Sequence, residues 1–248
     1  LRLDNAKNAI SNHTSLVLKL VNNGESTIGN GFLIQPNSLV KRYSENFASV
    51  KRADGLPFNP IIPVMCPVFN GTSWTGCIMF YNYNMGKYEV TQEEFESIMG
   101  YNPSTNIGLK KPVQNISTYD AIQYCNRLSL VLGTTPYYTL TNISKNGDNI
   151  SSATVSINGG NGIRLPNKNE WSYAASGGNS GVPHTYPGTD DLNNMWCVEN
   201  SGGNTHDVGG FIPNELGLYD MAGNVWEMTE GDLLNTDYMG ISAWNPSV

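Results

Sequence analysis

Residues 217–228, GLYDMAGNVWEM, identify the fold and hold the clearest chemical signal in the chain. Asp220 and Glu227 flank a tight turn at Gly223. A glycine turn lets the carbonyls of Gly223 and Val225 point inward between the two carboxylates. Carboxylate and carbonyl oxygens are the ligands that Ca²⁺ prefers in proteins. The spacing therefore predicts a calcium site formed by these four residues.

A structural interpretation of the same stretch stays open. In that alternative, Glu227 pairs with Arg164 or caps a turn, and Trp226 fills the core. The two interpretations differ in how they treat the acidic side chains. Two unpaired carboxylates this close repel each other and are costly to bury, whereas a bound cation would remove that cost.

Upstream of this turn, the sequence predicts three short helices. Each opens with a polar cap residue placed three positions before an acid, which is the pattern of a capping box. The three pairs are Thr91 with Glu94, Ser117 with Asp120, and Asn167 with Glu170. Apolar residues at helical spacing follow each cap and predict one buried face per helix. The second of these faces includes Cys125, which we expect to be a small core residue.

The remaining segments predict short strands and long loops. Apolar and polar residues alternate at 15–21, with a possible returning strand at 31–34. Aromatic and β-branched residues predict strands at 74–83, 137–141 and 153–157, the last two joined by a polar loop. Residues 178–215 are rich in Gly and Asn and show little periodicity. Loops of that length in a compact domain are usually functional or are held by an ion.

Composition excludes several classes of protein. Only 14% of the 248 residues are charged, against roughly 25% in an ordinary domain, and 26 Gly, 13 Pro and 32 Asn make up the difference. A helical bundle is therefore excluded. The net charge of −7 and the absence of any long Lys/Arg cluster argue against nucleic-acid binding. No segment is long and apolar enough to predict membrane insertion.

The four cysteines are too few for a disulfide scaffold of this size. Cys66 and Cys77 flank a predicted turn at Asn70-Gly71 and could pair across a hairpin, although an even cysteine count alone is weak support. None of the four has the C-x-x-C spacing of a zinc site.

Four segments, in this order, resemble the formylglycine-generating-enzyme (sulfatase-modifying factor) family. They are GKYEVTQEEF (86–95), PVQNISTYDAIQYCNRLS (112–129), RLPNKNEWSYAASGG (164–178) and GLYDMAGNVWEM (217–228). The resemblance implies an α+β fold of the C-type lectin type, with short antiparallel strands, about three helices and long irregular loops. It covers about residues 75–230.

The family resemblance implies several possible activities. True members oxidise a substrate cysteine to formylglycine with a copper-binding cysteine pair, and related members form sulfur–carbon bonds on non-haem iron. Others are ligand-binding proteins, including variable proteins diversified by retroelements. The family's catalytic cysteines follow the GNxWEW motif near an Arg-Gly-Gly-Ser-Trp run. Residues 228–248, MTEGDLLNTDYMGISAWNPSV, contain no Cys, no His and no such run.

Neither copper nor iron is expected. Copper(I) needs thiolates close together, and Cys125 and Cys197 do not lie in the segment that matches the catalytic one. An iron site needs two His and a carboxylate, whereas His13, His184 and His206 are scattered through loops. The resemblance does imply Ca²⁺ at Asp220, Gly223, Val225 and Glu227. A second, weaker calcium site is implied at Asn194 and Met195, which begin the Asn-apolar-Trp segment.

These observations favour a non-catalytic ligand-binding protein with a receptor-binding or adhesion role. In the variable proteins, diversified residues begin after the Trp-Glu motif. We therefore expect a ligand surface formed by Asn235, Asp237, Tyr238, Trp244 and Asn245. The expected partner is a protein or glycan on a target surface, and a virion or cell-surface location follows.

The runner-up is a sulfatase-modifying-type oxidoreductase whose catalytic cysteine segment lies outside these 248 residues. The coding sequence past Val248 would discriminate the two hypotheses. For domain organisation, residues 1–60 are expected to be an accessory segment packed on a main domain at 61–248. Sixty residues with two weak strands bury too little apolar surface to be stable alone.

Overall fold

The computed structural model describes residues 47–50, 64–69, 74–79, 83–178 and 184–230. Six strands are present in this part of the chain: β1 Phe47–Val50, β2 Val64–Phe69, β3 Trp74–Met79, β4 Tyr83–Gly86, β5 Tyr138–Asn146 and β6 Asn149–Ile157. The helices there are α1 Gln92–Met99, α2 Thr118–Val131 and α3 Lys168–Ala175, with a 3₁₀ turn at Leu192–Asn194. The α+β class predicted from the sequence is therefore confirmed.

The described strands form two-stranded antiparallel sheets, in which β1 pairs with β4, β2 with β3, and β5 with β6. The β2–β3 register places Cys66 directly opposite Cys77. This is the arrangement that the hairpin prediction requires, and the disulfide itself stays a prediction. The predicted strands at 15–21 and 31–34 lie outside the described residues. None of the helices described is long and apolar enough to cross a membrane.

The described residues divide into two compact units, and the chain passes between them more than once. The first contains Gln92–Thr105 and Val113–Leu165, and the second contains the described parts of Phe47–Thr91, Asn106–Pro112 and Pro166–Val248. Strand β1 belongs to the segment predicted as accessory, yet it pairs with β4 of the main domain. The accessory role of residues 1–60 stays a prediction.

The first unit forms around the buried face of α2. Ala121, Ile122, Cys125 and Leu128 are all buried, as the helical spacing predicts. Phe95 of α1 stacks on Tyr124, with ring centroids 5.6 Å apart.

The β5–β6 hairpin is longer than the sequence predicted. Both strands continue through the segment interpreted as a polar loop and meet at Gly147-Asp148. Most of β5 beyond Tyr138 is exposed, so the alternation of apolar and polar residues that marks a half-buried strand is missing there. A register shift after Thr141 further breaks the pattern.

Asp120 is the polar centre of the first unit and is fully buried. Its Oδ2 accepts hydrogen bonds from the backbone nitrogen and hydroxyl of Ser117, both at 2.9 Å, which completes the predicted capping box. Its Oδ1 accepts from the Tyr101 hydroxyl and from the Ile150 nitrogen, both at 2.8 Å. One carboxylate thus joins the start of α2, the segment after α1 and strand β6.

The second unit is organised by α3. The Asn167–Glu170 capping box is present as predicted, and Trp171, Tyr173, Ala174 and Ala175 are buried. They form one cluster with Ala48, Leu218 and Met221. Because Leu218 and Met221 come from residues 217–228, the core of α3 positions the motif turn.

We expect Asp120→Ala to destabilise the protein by about 2–5 kcal/mol, because it removes a cap and leaves the buried nitrogen of Ile150 and the half-buried hydroxyl of Tyr101 without an acceptor. Asp120→Asn keeps the shape and one acceptor oxygen and should lose less. Urea denaturation of both variants tests this. A loss within measurement error for Asp120→Ala would contradict the central role of this carboxylate.

Candidate functional site

The motif turn at residues 217–228 lies within the second unit and depends on positive backbone φ angles. Asp220, Gly223 and Asn224 have φ values of 54°, 86° and 55°. At Gly223 a side chain is excluded for a second reason, since an added Cβ would lie 2.0 Å from the carbonyl oxygen of Trp196. Trp196 and Gly223 form a parallel β-bridge. The glycine of the motif is therefore required by both backbone angle and space.

Asn224 joins three segments of the second unit. Its backbone nitrogen donates to the Trp196 carbonyl at 3.0 Å. Its Oδ1 accepts from the His206 nitrogen at 3.0 Å, and its Nδ2 donates to the His206 carbonyl at 3.2 Å. The same Nδ2 donates to Oε2 of Glu89 at 2.7 Å. An asparagine tolerates the left-handed conformation and offers both a donor and an acceptor at this position.

Glu89 braces the motif turn from the segment after β4. Only 7% of its surface is exposed. In addition to its bond from Asn224, its Oε1 accepts from the backbone nitrogen of Val225 at 3.1 Å. Sequence reasoning gave Glu89 no role, although it is an acid between Tyr88 and Val90 inside the GKYEVTQEEF segment.

The two acids predicted as calcium ligands lie beside Glu89. Oδ2 of Asp220 accepts from the Gly209 nitrogen at 2.6 Å, and Oε2 of Glu227 accepts from Nε1 of Trp171. Burial raises the pKa of Asp220 and raises the pKa of Glu227 to about 7, with the charge of Asp220 adding to the latter. Burial and the charges of Glu227 and Asp220 raise the pKa of Glu89 well above its usual value.

This environment provides a test of whether Ca²⁺ suits the four predicted residues. Within the described part of the chain, Oδ1 of Asp220 and Oε1 of Glu227 have no hydrogen bond, so each carboxylate keeps one oxygen for a cation. The carbonyls of Gly223 and Val225 would add two oxygen donors, and water would supply the remaining ligands that Ca²⁺ needs. No group of three or more His, Cys, Asp or Glu arranged to hold a metal occurs in the described residues. The donor chemistry fits Ca²⁺, and calcium binding stays a prediction.

The structural alternative, in which Trp226 fills the core, does not agree with the position of this side chain. The side chain is 52% exposed, so it does not fill the core. Trp171 donates the hydrogen bond that Glu227 accepts. Arg164 instead donates to the Leu165 carbonyl at 3.0 Å and lies over the Tyr137 ring. An exposed indole follows directly on the braced turn.

The segment predicted as a second calcium site adopts a tight local fold. Asn194 ends the 3₁₀ turn, and Met195 is buried with Cys197 and Ala222. The Met195 carbonyl accepts a hydrogen bond from Nδ2 of Asn200 at 2.8 Å. Asn200 had not been singled out from the sequence, in which it is one Asn among many.

Neither of the two cysteines with described side chains is suited to nucleophilic or copper chemistry. Cys125 is buried in the first unit, and burial raises the pKa of its thiol to about 12. Cys197 is buried in the second unit, and burial raises its pKa as well. Thiolates are the reactive and metal-binding form of cysteine, so both residues are held in the inert form.

The described histidines have separate structural roles. His184 lies between two acids: Nδ1 is 2.9 Å from Oδ2 of Asp190, and Nε2 is 3.3 Å from Oε1 of Glu215. His206 stacks on Trp196, with ring centroids 3.6 Å apart. His13 and the predicted ligand residues Asn235, Asp237, Tyr238, Trp244 and Asn245 lie outside the described residues.

If Ca²⁺ binds as predicted, the ion should raise the melting temperature. At 100 times the Kd, binding to the native state alone adds about 2.7 kcal/mol, which corresponds to about 5–10 °C for a domain of this size. Melting curves in Ca²⁺ and in EGTA measure the difference. Glu227→Gln, which keeps an acceptor for Trp171 but loses the charge, should remove most of it.

Asp148→Asn, at the exposed tip of the β5–β6 hairpin, provides the matched control and should keep the full calcium effect. Equal melting of the wild-type protein in Ca²⁺ and EGTA would contradict the calcium prediction.

The His184 contacts predict a pH dependence of stability. The hydrogen bond that His184 donates to Asp190 is the main cause that raises the pKa of His184, aided by Glu215, and the same bond lowers the pKa of Asp190 to about 2. A raised histidine pKa stabilises the fold below the unfolded value of about 6.5, and this is lost as pH rises through the folded pKa. His184→Gln should therefore lower the melting temperature more at pH 5.5 than at pH 9. Asp190→Asn should remove most of this pH difference, and a loss that does not vary with pH would refute it.

Comparison with known proteins adds the family. The sulfatase-modifying factor enzyme 1-like domain (FGE-sulfatase) matches residues 76–242. The chaperone protein LppX of Paenibacillus barcinonensis is 40% identical over 170 residues, which are 59% of this chain and 61% of that protein. The formylglycine-generating enzyme of Mycobacterium tuberculosis is 40% identical over 80 residues, 27% of each chain. The chain thus spans less than two thirds of the length of these relatives.

Two solved structures share the fold. Treponema denticola variable protein 1 aligns with a TM-score of 0.55 and 30% identity over 75% of both chains. CarF aligns with a TM-score of 0.56 and 25% identity over 75% of this chain and 79% of its own. Both are formylglycine-generating-enzyme-like C-type lectin folds. With the four motifs, the described fold and the match over 76–242, this chain belongs to the formylglycine-generating-enzyme (sulfatase-modifying factor) family and has its C-type lectin-like fold.

Proposed function

We propose that this chain is a non-catalytic ligand-binding protein, with a receptor-binding or adhesion role. The observation that carries the proposal is the contrast between the motif turn and the thiols. The turn at residues 217–228 is fully assembled around Glu89 and Asn224, whereas Cys125 and Cys197 are buried and held as thiols. The scaffold is kept, and the cysteine side chains that are described are core residues.

The ligand surface in this proposal is the segment after Glu227, with Asn235, Asp237, Tyr238, Trp244 and Asn245 as its contact residues. Tyr and Trp give large contact areas with few rotatable bonds, and Asn and Asp add adaptable hydrogen bonding. The exposed Trp226 supports this location, because it presents an aromatic ring where the segment starts. Because the buried Glu89 already holds the turn that carries Trp226, little entropy would be lost in ordering this turn when a ligand binds.

The likeness to Treponema denticola variable protein 1 also supports the proposal. Retroelement diversification of the segment after the motif turn is the finer form of the hypothesis. The partner is a protein or glycan on a target surface, and the chain acts at a virion or cell surface. Ca²⁺ at Asp220 and Glu227 has a structural role here, since it would offset the repulsion between carboxylates that form the base of the turn.

Two assays test the proposal. In the first, the purified chain is incubated with a cysteine-containing peptide, copper and oxygen, and mass spectrometry follows the peptide. We expect the cysteine to keep its sulfur. Conversion to formylglycine would overturn the proposal and establish the oxidoreductase alternative, which the identity to the Mycobacterium tuberculosis enzyme favours.

In the second assay, the protein is screened against glycan and cell-surface protein arrays. Tyr238→Ala and Trp244→Ala should each weaken the binding of a captured ligand at least tenfold, because aromatic residues contribute most of the binding energy at many interfaces. Ile143→Ala, an exposed change on the β5–β6 hairpin, is the matched control and should bind as the wild type does. A ligand that binds both tail variants with wild-type affinity would place its site elsewhere.

A further inference from the structure

We propose that the side-chain amide of Asn200 occupies the position of a cation in the 191–200 loop, so that this loop is closed without a metal. The family resemblance implied a calcium site here, at Asn194 and Met195. The described contacts of this loop do not fit a bound cation. The proposal assigns the Met195 carbonyl to the Asn200 amide and not to a cation, and one set of variants decides between the two.

The Asn200 side chain satisfies three backbone groups of the loop. Its Nδ2 donates to the Met195 carbonyl at 2.8 Å and to the Leu192 carbonyl at 3.3 Å. Its Oδ1 accepts from the Cys197 nitrogen at 2.9 Å. An amide nitrogen has two hydrogens, and here each has a carbonyl partner.

Two carbonyl oxygens that converge on one point create negative potential there. A loop of this kind can be closed by a cation, which needs six to eight oxygen ligands at about 2.3–2.6 Å, or by a group that donates hydrogen bonds. Nδ2 of Asn200 is a donor and cannot be a calcium ligand. While it lies against the Met195 and Leu192 carbonyls, it excludes the ion from the point at which they meet.

The residues that provide these carbonyls are held in place by apolar contacts. Met195 and Cys197 are buried with Ala222, and Leu192 packs against the same cluster. The backbone continues the closure, since the Ser201 nitrogen donates to the Cys197 carbonyl at 2.9 Å. The apolar contacts thus hold the carbonyls in place, and the hydrogen bonds from the Asn200 amide offset their negative potential.

Asn200→Asp tests the proposal directly, because it replaces the donor by a carboxylate of the same shape. In EGTA the variant should melt about 2–5 °C below the wild type, since two hydrogen bonds become a repulsion between oxygens. Calcium should then raise its melting temperature by about 5 °C more than it raises that of the wild type. Calorimetric titration with Ca²⁺ should find one more bound ion per chain in the variant.

Asn149→Asp is the matched control. Nδ2 of Asn149 also donates to a backbone carbonyl, that of Asn115, at 2.8 Å, but it has no second carbonyl among its described contacts. This variant should lose some stability in EGTA and show the same calcium response as the wild type. Asn200→Ala should melt lower than the wild type without gaining a calcium response.

Three results would overturn the proposal. They are a bound Ca²⁺ that remains in Glu227→Gln and is lost when Asn200→Ala is added to it, an Asn200→Ala variant that melts with the wild type, and an Asn200→Asp variant without extra calcium response. If Asn200→Asp does not fold in EGTA, recovery of its circular dichroism on adding Ca²⁺ supports the proposal, and failure to recover contradicts it.

Discussion

The carboxylate of Glu89 holds the motif turn at the base of the second unit. Both of its oxygens accept hydrogen bonds, from the side chain of Asn224 and from the backbone of Val225. Asn224 in turn fixes the segments of Trp196 and His206. Burial, and then the charges of Glu227 and Asp220, raise the pKa of Glu89, so its ionised form is held here at a cost in free energy. The hydrogen bonds that Val225 and Asn224 donate to Glu89 lower its pKa and offset part of this cost.

Local sequence signals predicted the three helices and two of their capping boxes, and the box of Thr91 and Glu94 stays a prediction. Ser117 with Asp120 and Asn167 with Glu170 form the capping boxes that their three-residue spacing predicted, because a cap depends on neighbours in the chain. The core position of Cys125 followed from helical periodicity in the same way. The C-type lectin-like fold did not follow from these patterns and required the resemblance of the four motifs.

Long-range polar contacts were the part that the sequence did not disclose. Glu89 and Val225 are 136 residues apart, and no spacing rule connects them. The same holds for Asn200, whose amide closes a loop through backbone carbonyls that have no side-chain signature. The length of the β5–β6 hairpin was underestimated for a different reason. Its outer half is exposed and lacks the alternation of apolar and polar residues that a buried face imposes. Proteins with names as different as a chaperone, a variable protein and a formylglycine-generating enzyme match this chain, which fits the general observation that function resides in sites added to a shared fold.

The interleaving of the two units has a consequence during synthesis on the ribosome. The described segments of the first unit are all made once Leu165 has been added, whereas the second unit needs residues as late as Glu227. Between Glu89 and Val225 the ribosome adds 136 residues, which takes about 7–27 s at typical rates of translation. Throughout that interval the Glu89 carboxylate remains without the turn that it braces. The first unit can therefore form early, while the strands before Glu89 stay exposed to chaperones and to neighbouring chains until the motif turn emerges.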